Sequence, residues 1–187
     1  MSVKIRGGIL LARKAFVMEH FGFEAWDTVL AALSTEERTL LKSNIIHIGW
    51  YPFEVSEHLD KAIFSVLGKN DRSIFESIGA KSAHENLSGA QNPLIRPGDP
   101  QAFMKQANLI YKFYYDVGRR DYEVTGPNSG LLTTYDAETY SEIDCLTVIG
   151  WYKEALKMCG AKQVEIIETK CRARGDHVCQ YKARWQI

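Results

Sequence analysis

Residues 163–185 read Gln-Val-Glu-Ile-Ile-Glu-Thr-Lys-Cys-Arg-Ala-Arg-Gly-Asp-His-Val-Cys-Gln-Tyr-Lys-Ala-Arg-Trp. Two arms of strand-forming residues flank a glycine, which predicts an antiparallel hairpin with strands over 163–171 and 178–185. A turn at Arg174-Gly175-Asp176 places Cys171 and Cys179 opposite each other on neighbouring strands. Just upstream, Cys145, Val148, Ile149, Tyr152 and Leu156 recur at helical spacing, predicting a helix over 141–158 that stops at Gly160. Before it, strands over 122–125 and 131–135 are separated by Gly126-Pro127-Asn128-Ser129-Gly130. These pieces complete an antiparallel sheet around one crossover helix.

The first half reads as helices. Ile9, Leu10, Ala12, Phe16, Val17 and Phe21 form an apolar stripe that Gly22 ends, and a second begins at Phe23 with Trp26, Val29, Leu30 and Leu33. Ser34-Thr35-Glu36-Glu37 is a capping box for a third helix. Trp50-Tyr51-Pro52 breaks the helical pattern, because a residue before proline avoids the α region. Two more helices follow, one ending at Gly68 and one after Asp71, a candidate cap. Residues 88–100 form a loop-rich connection of the kind that can cover a binding site. From Phe103 an aromatic helix carries Phe103, Ala107, Tyr111 and Tyr114 on one face. The expected fold class is α+β, an N-terminal helical layer packed on a C-terminal antiparallel sheet with a crossover helix.

The chain has 187 residues, 45% of them hydrophobic, which suits one domain over 1–187 with a substantial core. Its 23 basic and 23 acidic residues balance, so no nucleic-acid footprint is expected. Arg13 and Lys14 interrupt the apolar N-terminal stretch, so no signal-peptide pattern is read, and no run approaches a membrane span. Four unevenly spaced cysteines fit a reducing cytoplasm better than a secreted disulfide framework.

Cys145, Glu168, Cys171 and Cys179 together form a donor set suited to a tetrahedral, structural zinc. Two other readings stay open: buried thiols in a reduced protein, or a disulfide between Cys171 and Cys179. Residues three apart in a regular strand face opposite sides, so joint action of Glu168 and Cys171 requires a bulge. Cys159, before Gly160, fits no ligand spacing and reads as packing. No Gly-x-Ser-x-Gly elbow or phosphate-cradling glycine loop is present, and the expectation is a protein that is not an enzyme.

Cys145, Glu168-x-x-Cys171 and the run Arg174-Gly175-Asp176-His177-Val178-Cys179-Gln180-Tyr181 resemble the 4-vinyl reductase domain family. That resemblance implies a small-molecule-binding sensor domain, related to aromatic-effector sensors, with a structural zinc on Cys145, Glu168, Cys171 and Cys179. It also implies an apolar or aromatic ligand enclosed between the helical layer and the sheet, near Phe103, Tyr111, Tyr114 and Ile149, and signalling through a partner protein. Two alternatives come with it: a dimeric adaptor resembling vesicle-tethering complex subunits, and an accessory of tetrapyrrole vinyl reduction. The apolar positions of the first helices, including Phe16, Phe21, Phe23 and Trp26, add the expectation of a homodimer. A second resemblance is confined to the opening, where Gly8-Ile9-Leu10 through Trp26-Asp27-Thr28-Val29-Leu30 is similar to the start of haem nitric-oxide-binding domains. That family's Tyr-x-Ser-x-Arg motif is absent, and no histidine is assignable as its haem ligand.

Overall fold

The protein, as a computed structural model, is described over residues 3–68 and 71–187. A short strand β1 (Lys4–Arg6) leads into helices α1 (Gly7–Phe21), α2 (Phe23–Ala31) and α3 (Thr35–Lys42). Strand β2 (Trp50–Pro52) precedes α4 (Phe53–Leu67) and α5 (Ser73–Ser88), and two short helices follow, α6 (Pro100–Met104) and α7 (Ala107–Tyr114). Strands β3 (Arg119–Gly126) and β4 (Ser129–Tyr135), helix α8 (Glu142–Met158), and strands β5 (Lys162–Lys170) and β6 (Cys179–Gln186) complete the chain. The expected α+β class is the one observed, with a four-stranded antiparallel sheet in the order β3-β4-β6-β5.

Local chemistry accounts for most boundaries. Ser34 Oγ accepts from the Glu37 N–H at 3.2 Å while the Ser34 N–H donates to the Glu37 carboxylate at 3.0 Å, a complete capping box. Asp71 accepts from both the backbone and the hydroxyl of Ser73 at the start of α5. Ser141 caps α8 by accepting from the Asp144 N–H at 2.9 Å. Strand β6 alternates strictly, burying Cys179, Tyr181, Ala183 and Trp185 on one face.

Three sequence expectations need correction. The aromatic helix from Phe103 is two helices, because the chain breaks between Met104 and Ala107 and the Gln106 side chain turns to donate to the Leu94 carbonyl. Residues 88–100 are anchored rather than free to swing: Leu94 is buried, and the Gly98 N–H donates to the Cys159 carbonyl at 2.9 Å. Trp50-Tyr51-Pro52 does more than interrupt a helix. It pairs antiparallel with β1, a strand the sequence did not announce.

The tightest contact in the fold is the crossing of α5 over α8. A Cβ placed on Gly79 would lie 2.0 Å from the Thr147 carbonyl oxygen, and one placed on Gly150 would lie 1.9 Å from that of Glu76. Glycine is therefore obligatory at both positions so that the two backbones can touch. For Gly79→Ala, the overlap costs about 3 kcal/mol, against a helix-propensity gain of about 1 kcal/mol. We expect a net loss of about 2 kcal/mol, read calorimetrically as a Tm lower by roughly 4–8 °C. An unchanged Tm would show that the helices can separate without cost.

Candidate functional site

The interior between α1, α5, α7, α8 and β3 contains a cavity of about 50 Å³. Its walls mix apolar groups (Ile9, Ile78, Ile110, Val148) with four tyrosines (Tyr111, Tyr114, Tyr115, Tyr152), Trp151, and the charged residues Arg13, Arg120 and Asp144. Of the four ligand-pocket residues expected from the sequence, Tyr111 and Tyr114 line this cavity. Phe103 and Ile149 do not: both are core residues, and Phe103 stacks on Trp151 with ring centroids 6.1 Å apart. Arg13, Arg120 and Asp144 escaped sequence reasoning because a single charge inside an apolar stripe is indistinguishable from a solvated one until the packing is known.

These charges are organised. Arg13 holds Asp60 bidentately, Nε–H to Oδ1 at 2.6 Å and Nη2–H to Oδ2 at 2.8 Å, and Nη2 lies 3.6 Å from Asp144 Oδ1. Asp144 also accepts from the Tyr115 hydroxyl at 3.2 Å. Burial pushes both carboxyls above their ordinary range, with Arg13 acting in the opposite direction. Burial likewise works against the Arg13 charge, which the two carboxylates more than restore. Removing one partner of such a pair leaves the other charged and dry. We expect Asp60→Ala to destabilise the fold by about 3–5 kcal/mol in urea titration. A loss below about 1 kcal/mol would mean that water reaches the pair.

The second gathering is the cysteine cluster. Ligand atoms of Cys145, Glu168, Cys171 and Cys179 all lie within 4.8 Å of one another. The sulfurs of Cys171 and Cys179 are each 3.8 Å from that of Cys145. The bulge this grouping needs is present, as a register shift between Glu168 and Lys170 in the β5–β6 ladder. A 3-10 turn over Arg172–Arg174, with Gly175 in the left-handed region at φ 95°, replaces the simpler turn expected from the sequence. All four cysteines of the chain are free thiols, so no disulfide joins Cys171 to Cys179. Hydrogen bonding by Cys145 lowers both neighbouring thiols, Cys179 to about 7, while Cys145 itself is pushed far up. One carboxylate oxygen of Glu168 pairs with Arg174 at 2.8 Å, and the other is buried without a partner.

No family model and no curated protein matches the chain. Solved structures do. An H-NOX protein from S. oneidensis in the Fe(II)NO ligation state aligns with a TM-score of 0.75 at 13% identity, over 97% of this chain and 99% of that one. The Fe(II) unliganded H-NOX protein from K. algicida gives 0.73 at 12%, over 97% of both chains. A third structure, described by haem redox potential and porphyrin distortion, gives 0.70 at 10%, over 97% and 99%. The chain therefore has the H-NOX fold.

This corrects the sequence reading. The resemblance to the 4-vinyl reductase domain family is overturned, and the adaptor and reductase readings lose their basis with it. The structural zinc expected on Cys145, Glu168, Cys171 and Cys179 is overturned on the same finding, since the solved structures of this fold are described by iron and haem. The meeting of the four side chains remains as geometry. The opening stretch 8–30 pointed to the right fold, and the C-terminal motif outweighed it.

Haem itself does not fit the interior. All five histidines (His20, His47, His58, His84, His177) are exposed, and no histidine, cysteine or methionine lines the cavity. Tyrosinate is the remaining side-chain type there able to hold haem iron. Burial raises the pKa of all four lining tyrosines, and three of their hydroxyls are committed to Val117, Gln91 and Asp144. The volume, about 50 Å³, holds roughly four water-sized groups. We expect protein incubated with hemin to give the absorption spectrum of free hemin. A stoichiometric complex surviving gel filtration would overturn this.

Proposed function

We propose that the chain is a haem-free small-molecule-binding module that uses the interior of the H-NOX fold for a ligand of a few atoms, and that it signals occupancy through a partner protein. The observation that carries this reading is the cavity among α1, α5, α7 and α8, which keeps polar and charged groups at its wall in a core otherwise packed with apolar side chains. One of the similar H-NOX structures is described in the Fe(II)NO ligation state, and the shared fold directs attention to the corresponding interior. The ligand class expected from the sequence, apolar or aromatic, narrows on volume: an apolar cavity that takes benzene is about 150 Å³, and this one is about 50 Å³.

A homodimer belongs to the same reading, with a narrower basis than before. Phe16 and Trp26 are in the core, whereas Phe21 and Phe23 are 44% and 64% exposed on either side of Gly22. Among the described residues no helix is long and apolar enough to cross a membrane, and the free thiols favour a cytoplasmic location.

The test is a thermal-shift screen of compounds of three to six heavy atoms, paired with Val148→Phe, which fills the cavity from α8. A true ligand at a hundred times its Kd adds about 2.7 kcal/mol of stability, and the filled variant should lose that increment while remaining folded. If no such compound stabilises the protein, or if Val148→Phe responds as the parent does, the cavity is not the binding site.

A further inference from the structure

The cavity wall contains one cation with no anion assigned to it. Arg120 sits on β3, opposite Thr134 of β4, and is 5% exposed. Its Nε–H donates to Thr134 Oγ1 at 2.8 Å, the only hydrogen bond its guanidinium makes among the described residues, and it forms no ion pair there. The two terminal nitrogens therefore have donors to spare on a side chain that lines the cavity. Arg13, the other buried arginine, is fully engaged with Asp60 and Asp144.

What lies directly against Arg120 is aromatic, and Asp144 and the Cys179 thiol feel its charge from further off. Its guanidinium carbon lies 5.1 Å from the ring centroid of Tyr111, 5.6 Å from that of Tyr152 and 5.9 Å from that of Tyr181. Cation–π attraction steadies the charge without satisfying its N–H groups. Tyr152 adds a buried hydroxyl set close to the Arg120 guanidinium but outside good hydrogen-bond geometry. Unmet donors of this kind are costly in a dry interior, and a planar guanidinium fork matches a carboxylate or a phosphate bidentately, of which the carboxylate is the smaller and suits a cavity of about 50 Å³.

We propose that the cavity is a receptor for a short-chain carboxylate, with its carboxylate on the Arg120 guanidinium and its one- or two-carbon tail against Ile110 and Val148. This deepens the small-molecule reading above and rests on it. The size favours the shortest members: acetate has four heavy atoms, the number of water-sized groups that about 50 Å³ holds, and propionate exceeds it by one methyl-sized group. Asp144, also in the wall, opposes an incoming anion, and Asp144→Asn removes that charge while keeping the shape.

The experiment is isothermal titration of the intact chain with propionate and with propionamide, which has the same shape but no charge. Propionate should bind at least tenfold more tightly. Arg120→Met, of similar length, should erase the difference, Arg120→Lys should restore part of it, and Asp144→Asn should tighten propionate binding severalfold. Equal binding of propionate and propionamide overturns the carboxylate assignment and leaves the small-molecule reading standing. If neither binds but another compound of the thermal-shift screen does, the carboxylate assignment alone fails. If nothing binds at all, both fall. Because the comparison of the two probes is made on the unaltered chain, it decides the matter even where Arg120→Met does not fold.

Discussion

Two glycines govern this molecule. With Gly79 and Gly150 facing carbonyl oxygens across the crossing, α5 and α8 approach until their backbones touch, leaving no room for even a methyl group between them. Everything around α8 takes its position from that contact. Its early turns carry Asp144 toward Arg13 and Cys145 toward the β5–β6 hairpin, and its middle presents Val148, Trp151 and Tyr152 to the cavity. One helix thus serves the charged interior and the sulfur cluster at once, and a shift along its axis would disturb both.

The interior is polar by design of pairing. Arg13 with Asp60 and Asp144 forms a triad in which two carboxylates share one guanidinium, and each carboxyl is held above its usual range by burial. Such a group is expensive to bury, and hydrophobic replacements of the same shape are often at least as stable. It ties α1, α4 and α8 together through a single guanidinium. In this H-NOX fold all five histidines lie on the surface, and the chamber is walled by tyrosines and three charged residues.

The sequence disclosed the α+β class, most element boundaries and the grouping of Cys145, Glu168, Cys171 and Cys179. Each of these follows from local rules: a stripe, a cap, a turn residue, a spacing. Of the ligand residues expected from it, Tyr111 and Tyr114 line the cavity while Phe103 and Ile149 lie in the core, a difference one dimension hides because core and cavity wall look alike there. It was silent on β1, whose three residues are too few to show a period, and on Arg13 and Arg120, whose partners lie far along the chain. The family was misjudged for a related reason. Cysteine spacing is conspicuous and easily reproduced in unrelated hairpins, whereas the helical opening that carried the fold is chemically plain.

The pairing of β1 has one consequence for how the chain comes together. The Lys4 N–H donates to Asp116 across 112 residues, the Asp116 N–H donates in return to the Lys4 carbonyl, and Ile5 bridges to Tyr115. Closing a loop that long is entropically slow compared with forming the helices inside it. During synthesis β1 must therefore wait, made but unpartnered on its inner edge, until Tyr115 and Asp116 have been translated and the helices between have packed. The strand that is made before all the others is among the last parts of the fold to be locked in place.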